Sequence, residues 1–247
     1  MDKKVFLVTG ATGGIGQAIC EEIAKNNKGM AEIIIHYHSN LKGAQALQSH
    51  LLKEYDTKSH LIQANFEQEK DIERLAEAVI ENFKTVDALI NVAGIVMDKD
   101  IKDRTYADFE KTFKVNVFAI FLITKLIGRK MFENKSGKIV NISSVSATEY
   151  YPTSIDYNAS KASINTMTKD FAIEFAPHIN VNAVSPGMTD TPFNETLPED
   201  VANQITSKIL KARWAKPSEI ASLVYYLTTP QSDFINGSII VADGGKY

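Results

Sequence analysis

The chain has 247 residues, 44% of them hydrophobic and 23% charged, a balance that excludes disordered and collagen-like polymers and suits one domain with a full core. Its formal net charge of −3 and pI near 6.0 argue against a nucleic-acid binder, which would carry a basic excess. No apolar run approaches the ~20 residues that span a bilayer, the first residues hold no signal-peptide core, and the one cysteine, Cys20, can form no internal disulfide, so a reducing cytoplasmic setting without a membrane partner is expected.

Taken along the chain, short runs rich in β-branched residues occupy 5–8, 32–37, 59–63, 88–92, 138–142, 180–183 and 238–241. Being apolar on both faces, they predict buried parallel strands. Amphipathic stretches separate them. Ile15, Ile19 and Ile23 repeat at four-residue spacing, Ile72, Leu75, Val79, Ile80 and Phe83 mark a second helix face, and 159–175 carry a third. The alternation predicts βαβ units with right-handed crossovers in a single α/β domain, residues 1–247. Its Rossmann-like, doubly wound parallel sheet has about seven strands, with helices on both faces. Segment 189–210 breaks the rhythm with Pro192, Asn194 and Pro198, then resumes a helical spacing at Val201, Ile205 and Ile209. It predicts a lid that closes over a substrate.

The chemistry-bearing residues follow the same order. Thr9-Gly10-Ala11-Thr12-Gly13-Gly14-Ile15-Gly16 ends the first strand and opens the first helix. Glycines there let backbone approach a pyrophosphate, and the helix N-terminus supplies free amides; the alternative is a plain strand–helix turn. Asn116 sits in an apolar helical stretch, where it is either functional or a buried side chain bonding backbone. Tyr157 and Lys161 are four residues apart on a helix, so they share a face. An ammonium beside a phenol is expected to lower the phenol's pKa toward a useful range. Ser144 lies thirteen residues before Tyr157, at a strand end from which its hydroxyl can reach a carbonyl oxygen; Ser143 competes for that role. The five histidines show no metal-ligand spacing, and no catalytic metal is expected.

The Gly-x-x-x-Gly-x-Gly turn resembles that of the short-chain dehydrogenase/reductase family, and the resemblance continues along the chain. Asn91-Val92-Ala93-Gly94 is similar to the family's Asn-Asn-Ala-Gly, Ile142-Ser143-Ser144 to the end of its fifth strand, and Tyr157-Asn158-Ala159-Ser160-Lys161 to its Tyr-x-x-x-Lys. Pro186-Gly187 and Asp243-Gly244-Gly245 are similar to its later signatures. The resemblance implies a catalytic tetrad of Asn116, Ser144, Tyr157 and Lys161, with Asn116 holding a water that links Lys161 to solvent. It also implies hydride exchange between a nicotinamide and a carbonyl or alcohol carbon. It implies cofactor contacts from Gly10, Thr12, Gly13, Gly14, Ile15 and Gly16, from Tyr37 and Ser39, from Asn65 and Phe66, from Asn91, Ala93 and Gly94, from Tyr157 and Lys161, and from Pro186, Gly187 and Thr189.

The cofactor expected is NADP, with NAD as the alternative. No acid ends the second strand, where Tyr37 takes the acid's usual place, and an acid there would repel a 2′-phosphate. The resemblance is closest to 3-oxoacyl-acyl-carrier-protein reductases, which implies a 3-oxoacyl thioester substrate and a place in fatty-acid synthesis. Lys125, Arg129, Lys130, Lys135 and Lys138 offer a landing surface for an acidic carrier, or simply a solvated helix face. The alternatives are a dehydrogenase of a sugar, polyol or other small alcohol, and a non-catalytic nucleotide-binding regulator. A homotetramer is expected, because Phe113, Val117, Phe118, Phe121, Leu122 and Leu126 exceed what one helix face needs for its own core.

Overall fold

The computed structural model describes residues 3–149, 152–195 and 197–245; residue 196 of the expected lid and the chain's extreme ends lie outside them. Seven strands, β1 (Lys4–Thr9), β2 (Ala31–Tyr37), β3 (Lys58–Gln63), β4 (Ala88–Asn91), β5 (Gly137–Ile142), β6 (Ile179–Pro186) and β7 (Ile239–Ala242), form one sheet in the order β3-β2-β1-β4-β5-β6-β7. Every neighbouring pair is parallel. The helices between them are α1 (Gly14–Asn27), α2 (Leu41–Tyr55), α3 (Glu69–Asn82), α4 (Tyr106–Phe113), α5 (Ala119–Glu133), α6 (Ile155–Glu174), α7 (Glu199–Thr206) and α8 (Pro217–Leu227).

Strand periodicity divides the core in two. In β1, Phe6 and Val8 face a cluster with Ile19 and Ile23 of α1, Leu47 and Leu51 of α2, and Val224 and Leu227 of α8. Val5 and Leu7 point the other way, to Leu75 and Val79 of α3 and to Ile123 and Ile127 of α5. This two-residue alternation buries both faces, which is why the strands read as unbroken apolar runs. Leu7, Ile34 and Leu89 are wholly buried, and each such side chain contributes roughly 1.5–3 kcal/mol by leaving water.

The chain winds outward from β1 to β3, then crosses to β4 and winds the other way. The neighbouring strands β1 and β4, paired from Phe6–Ala88 to Thr9–Asn91, therefore send their C-terminal loops to opposite sides and leave a crevice between them. Thr9 fixes that crevice: its Oγ1 accepts from the amides of Val92 at 3.0 Å and Ala93 at 3.2 Å. No helix among the described residues is long and apolar enough to cross a membrane.

Candidate active site

A cleft of about 970 Å³ opens at the strands' C-terminal ends. One end is built from the glycine turn. Gly10 adopts φ +62°, and a Cβ there would lie 2.7 Å from the Ala93 Cα. A Cβ on Gly14 would lie 2.6 Å from the Thr191 methyl, and one on Gly16 would meet the Gly10 carbonyl oxygen. The turn is thus pressed against itself and both cleft walls, as a surface for a closely approaching ligand requires. Gly13 caps α1 without any side-chain hydrogen bond, leaving the first amides of the helix directed at the cleft. Gly10, Thr12, Gly13, Gly14, Ile15 and Gly16 all line it. These residues fit a dinucleotide pyrophosphate.

Sequence reasoning missed His36. Its Nδ1 accepts from the Gly10 amide at 3.1 Å, its Nε2 lies 3.1 Å from the Ala64 carbonyl, and its ring stacks on Phe66 at 4.2 Å. Accepting at Nδ1 leaves Nε2 as the donor, so the neutral ring joins the turn to the end of β3. Burial lowers its pKa to about 4.

Strand alternation corrects two expectations at the end of β2. Tyr37 packs with the α1, α2 and α8 core, and neither it nor Ser39 lines the cleft. His36, His38 and Asn40, on the opposite parity, line it instead. Asn91 is also displaced. It is fully buried and donates through Nδ2 to Thr124 Oγ1 at 3.0 Å and Asn141 Oδ1 at 2.9 Å, pinning β4 to β5 and α5 behind the wall that Ala93 and Gly94 form. Asn65 and Phe66 border the cleft as expected. Asn65 Oδ1 accepts from the Glu67 amide and its own amide donates to Asp71, which fixes the loop.

The other end gathers Ser144, Tyr157 and Lys161. Ser144 ends the β5 exit, and its Oγ accepts from the Ser146 amide at 3.1 Å. The two serines point differently: Ser143 Oγ donates to Asn165 Oδ1 at 2.7 Å, turned toward α6, whereas Ser144 hydrogen-bonds the Tyr157 phenol. Lys161 lies one helical turn below, its Nζ donating to the Ile142 carbonyl at 2.8 Å and standing 5.5 Å from the Tyr157 ring centre.

The phenol's pKa runs opposite to the sequence expectation. Burial pushes Tyr157 up to about 12, against the lowering pull of the Ser144 hydrogen bond, and the Asp98 carboxylate raises it further. Burial also brings Lys161 down to about 8. Burial in the cleft wall favours the neutral form of each group. Tyr157 is therefore a proton donor at neutral pH.

Asn116 occupies a π-helical turn, Lys114–Phe118, that joins α4 to α5; such turns re-aim side chains at the cost of helix regularity. Its Oδ1 accepts from the Ile95 amide at 2.8 Å, and its Nδ2 donates to the Ile95 carbonyl at 2.8 Å and to Ser160 Oγ at 3.0 Å. The structure places it as the clamp of the loop after Gly94. A Cβ on Gly94 would sit 3.3 Å from Asn116 Oδ1 and 3.6 Å from Lys161 Nζ, so a side chain there would crowd the Asn116 amide.

Pro186, Gly187 and Thr189 line the floor, and Thr189 Oγ1 donates to the Gly187 carbonyl at 3.1 Å. The segment beyond is fastened at both ends. Thr189 pairs with Ala215, while the Leu210 and Lys211 amides donate to Gly245 and Gly244. Trp214 Nε1 reaches Thr206 Oγ1 at 2.8 Å. Between these ties α7 buries no residue, yet Phe193, Leu197 and Ile205 border the cleft, and the Phe193 ring centre is 6.2 Å from that of Tyr157. Of the expected stripe, only Ile209, past the end of α7, is buried.

A family model described as "Enoyl-(Acyl carrier protein) reductase" matches residues 10–246. The chain is 36% identical to an acetoacetyl-CoA reductase of an Acinetobacter species over 100% of its length and 98% of the relative's. It is 33% identical to a 3-oxoacyl-(acyl-carrier-protein) reductase of Aquifex aeolicus, over 99% and 97% respectively. A crystal structure of 3-oxoacyl-(acyl-carrier protein) reductase from Brucella melitensis superposes with a TM-score of 0.91 at 27% identity, covering 100% of this chain and 92% of that one.

Proposed function

Since the chain belongs to the short-chain dehydrogenase/reductase family and is an NAD(P)-dependent oxidoreductase acting on CH–OH and C=O groups, we propose that it reduces 3-oxoacyl thioesters with NADPH. The observation that carries this reading is the apolar wall of Met188, Phe193, Leu197 and Ile205 beside the Ser144–Tyr157 pair. That wall suits an acyl chain whose 3-oxo group meets the two hydroxyls.

A nicotinamide held in the cleft would supply the hydride for the carbonyl carbon. Ser144 and Tyr157 orient the carbonyl oxygen by hydrogen bonding, and Tyr157 gives that oxygen its phenolic proton. Lys161, beneath the ring, returns a proton to the phenolate, and Asn116 fixes the backbone of Ile95 next to Gly94. The glycine turn and His36 hold the dinucleotide's other end. A panel of acetoacetyl-CoA, crotonyl-CoA, glucose and small polyols tests the substrate. The reading expects the highest kcat/KM for acetoacetyl-CoA; selective oxidation of a sugar or polyol would overturn it. The second reading is retained in that panel because Asp98, Ser146 and Ser154 give the same cleft a polar side.

The adenosine end supports NADPH. His38, Asn40 and Gln17 border it, and Glu67, whose carboxylate also borders it, lies 3.3 Å from Lys111 Nζ. The expected kcat/KM with NADPH exceeds that with NADH by tenfold or more, about 1.4 kcal/mol of selective binding. An equal preference for NADH would refute the assignment.

The carrier-protein surface is thinner than the sequence stretch, because Arg129 pairs with Glu133 and Lys138 with Asp233. The free thioester is accordingly the first substrate to try. The homotetramer rests on fewer residues than the sequence stretch offered. Val117 is buried, and Leu122 and Leu126 pack on the core, while Phe118 and Phe121 are 56% and 47% exposed. Those two rings support burial against a second copy. Sedimentation at micromolar concentration is expected to give a tetramer, and a monomer would contradict it.

The lid is a narrower proposal than the sequence stretch, confined to 191–205 between its two sets of ties. Hydrogen exchange there is expected to be fast in the free protein and to slow on adding NADPH and a substrate analogue. Equal protection in both states would mean a permanently docked segment.

A further inference from the structure

Arg104, in the connection from β4 to α4, is a buried node that the chemistry above does not use. Its side chain is only 3% exposed, and its Nη1 donates to the fully buried carboxylate of Asp156 at 2.6 Å. Its Nη2 reaches the carbonyl oxygens of Met97 at 2.6 Å, Lys99 at 3.1 Å and Thr153 at 2.5 Å. The second oxygen of Asp156 accepts from Thr112 Oγ1 of α4 at 2.6 Å. One guanidinium thus holds the loop after Gly94, the turn before α6 and the first turn of α6 itself.

Those segments carry the substrate side of the cleft. Asp98 and Ser154 both line it and hydrogen-bond each other at 2.5 Å, and Val96 lies beside them. Asp156 is the residue before Tyr157, in the same helical turn. Taking the proton-donor role of Tyr157 as its basis, we propose that Arg104 is a positioning residue that sets the spacing between the Tyr157 hydroxyl and the wall formed by Asp98 and Ser154.

The choice of ion pair fits positioning better than stability. Removing two charges from water costs about as much as their attraction returns, so a buried pair adds little net stability over apolar side chains of similar volume. What it does supply is direction. The planar fork of arginine reaches a carboxylate and three carbonyls on separate segments, which the single point charge of lysine cannot do.

Two variants test this: Arg104→Lys, and the double variant Arg104→Met/Asp156→Leu, which removes both charges together. NADPH affinity is expected to stay at the wild-type value in each, because the glycine turn and His36 lie on β1, α1 and β2. kcat/KM for acetoacetyl-CoA is expected to fall about tenfold in Arg104→Lys and about a hundredfold in the double variant, the scale of an ångström-sized misplacement at a reacting centre. Thermal unfolding separates this loss from a general weakening of the fold, since a merely structural role would track the melting temperature and spare a stable double variant. Wild-type kcat/KM in the stable double variant would overturn the proposal, as would an equal loss of NADPH affinity and kcat/KM. Should the double variant not fold, Arg104→Lys decides alone, and unchanged kcat/KM there overturns it. A wild-type protein inactive on acetoacetyl-CoA would bear on the thioester reading only; the same variants are then compared on whichever carbonyl of the panel it reduces.

Discussion

Replacing Tyr157 with phenylalanine is expected to lower kcat by roughly 10³–10⁴-fold, the upper part of what one general acid supplies, while NADPH binds as before. The phenyl ring still fills its place between Phe193 and Lys161, so packing changes little. What disappears is the one hydroxyl that Ser144 orients and that burial holds as a proton donor, its pKa pushed up to about 12. A loss of 10³ corresponds to about 4 kcal/mol of transition-state stabilisation. The pH dependence follows in sign. The phenol stays protonated through neutral pH, so reduction should not lose its acid as pH rises from about 6 to 8. Above about 8 Lys161 loses its proton, resupply of the phenolate slows, and reduction should decline. Alcohol oxidation needs the phenolate and should rise over the same range. Steady-state rates in both directions, with a fluorescence titration of NADPH, check the whole set; near-native turnover in Tyr157→Phe would refute the assigned proton donor.

Gly10→Ala is expected to act on the opposite half of the cleft, raising the Kd for NADPH about a hundredfold while sparing kcat at saturating cofactor. Two costs combine. The backbone angle of +62° is unfavourable for any residue with a Cβ, by roughly 1–2 kcal/mol. The new methyl would also stand 2.7 Å from the Ala93 Cα and 2.8 Å from its nitrogen, so the glycine turn and the loop after β4 must part. Both bordering loops move, and the amides of α1 move with them. A measured Kd within about threefold of wild type, under half of the 1.4 kcal/mol that a tenfold change represents, would show that the dinucleotide does not lie against this turn.

Much of this architecture was legible because period and spacing are local properties. The seven runs became the seven strands, and in the five inner ones both faces are covered, which leaves little choice of composition. The glycine turn and the Tyr157–Lys161 pair were legible for the same reason, each being written within eight or fewer residues. α2 was not singled out, because its buried face rests on only Ala44, Leu47 and Leu51 among polar neighbours. Tyr37 and His38 differ by one position, and only the register of β2 decides which faces the cleft; parity is invisible in a run apolar on both sides. Asn91 follows the same logic, since a polar residue at a strand end can face a ligand or a neighbouring strand. The direction of the Tyr157 pKa depends on burial, which the i, i+4 spacing does not contain. Arg104 and His36 act through partners 52 and 26 residues away in sequence, so no local motif marks them.

Reduction of a thioester's 3-oxo carbon at Tyr157 is read out by an isotope-transfer measurement. The protein is incubated with acetoacetyl-CoA and NADPH deuterated at the transferable position, and the product is examined by mass spectrometry and NMR. One deuterium at C3 of 3-hydroxybutyryl-CoA, formed by the wild type and lost in Tyr157→Phe, is the expected result. Absence of deuterated product from the wild type, with steady oxidation of a sugar or polyol by the same preparation, would contradict it.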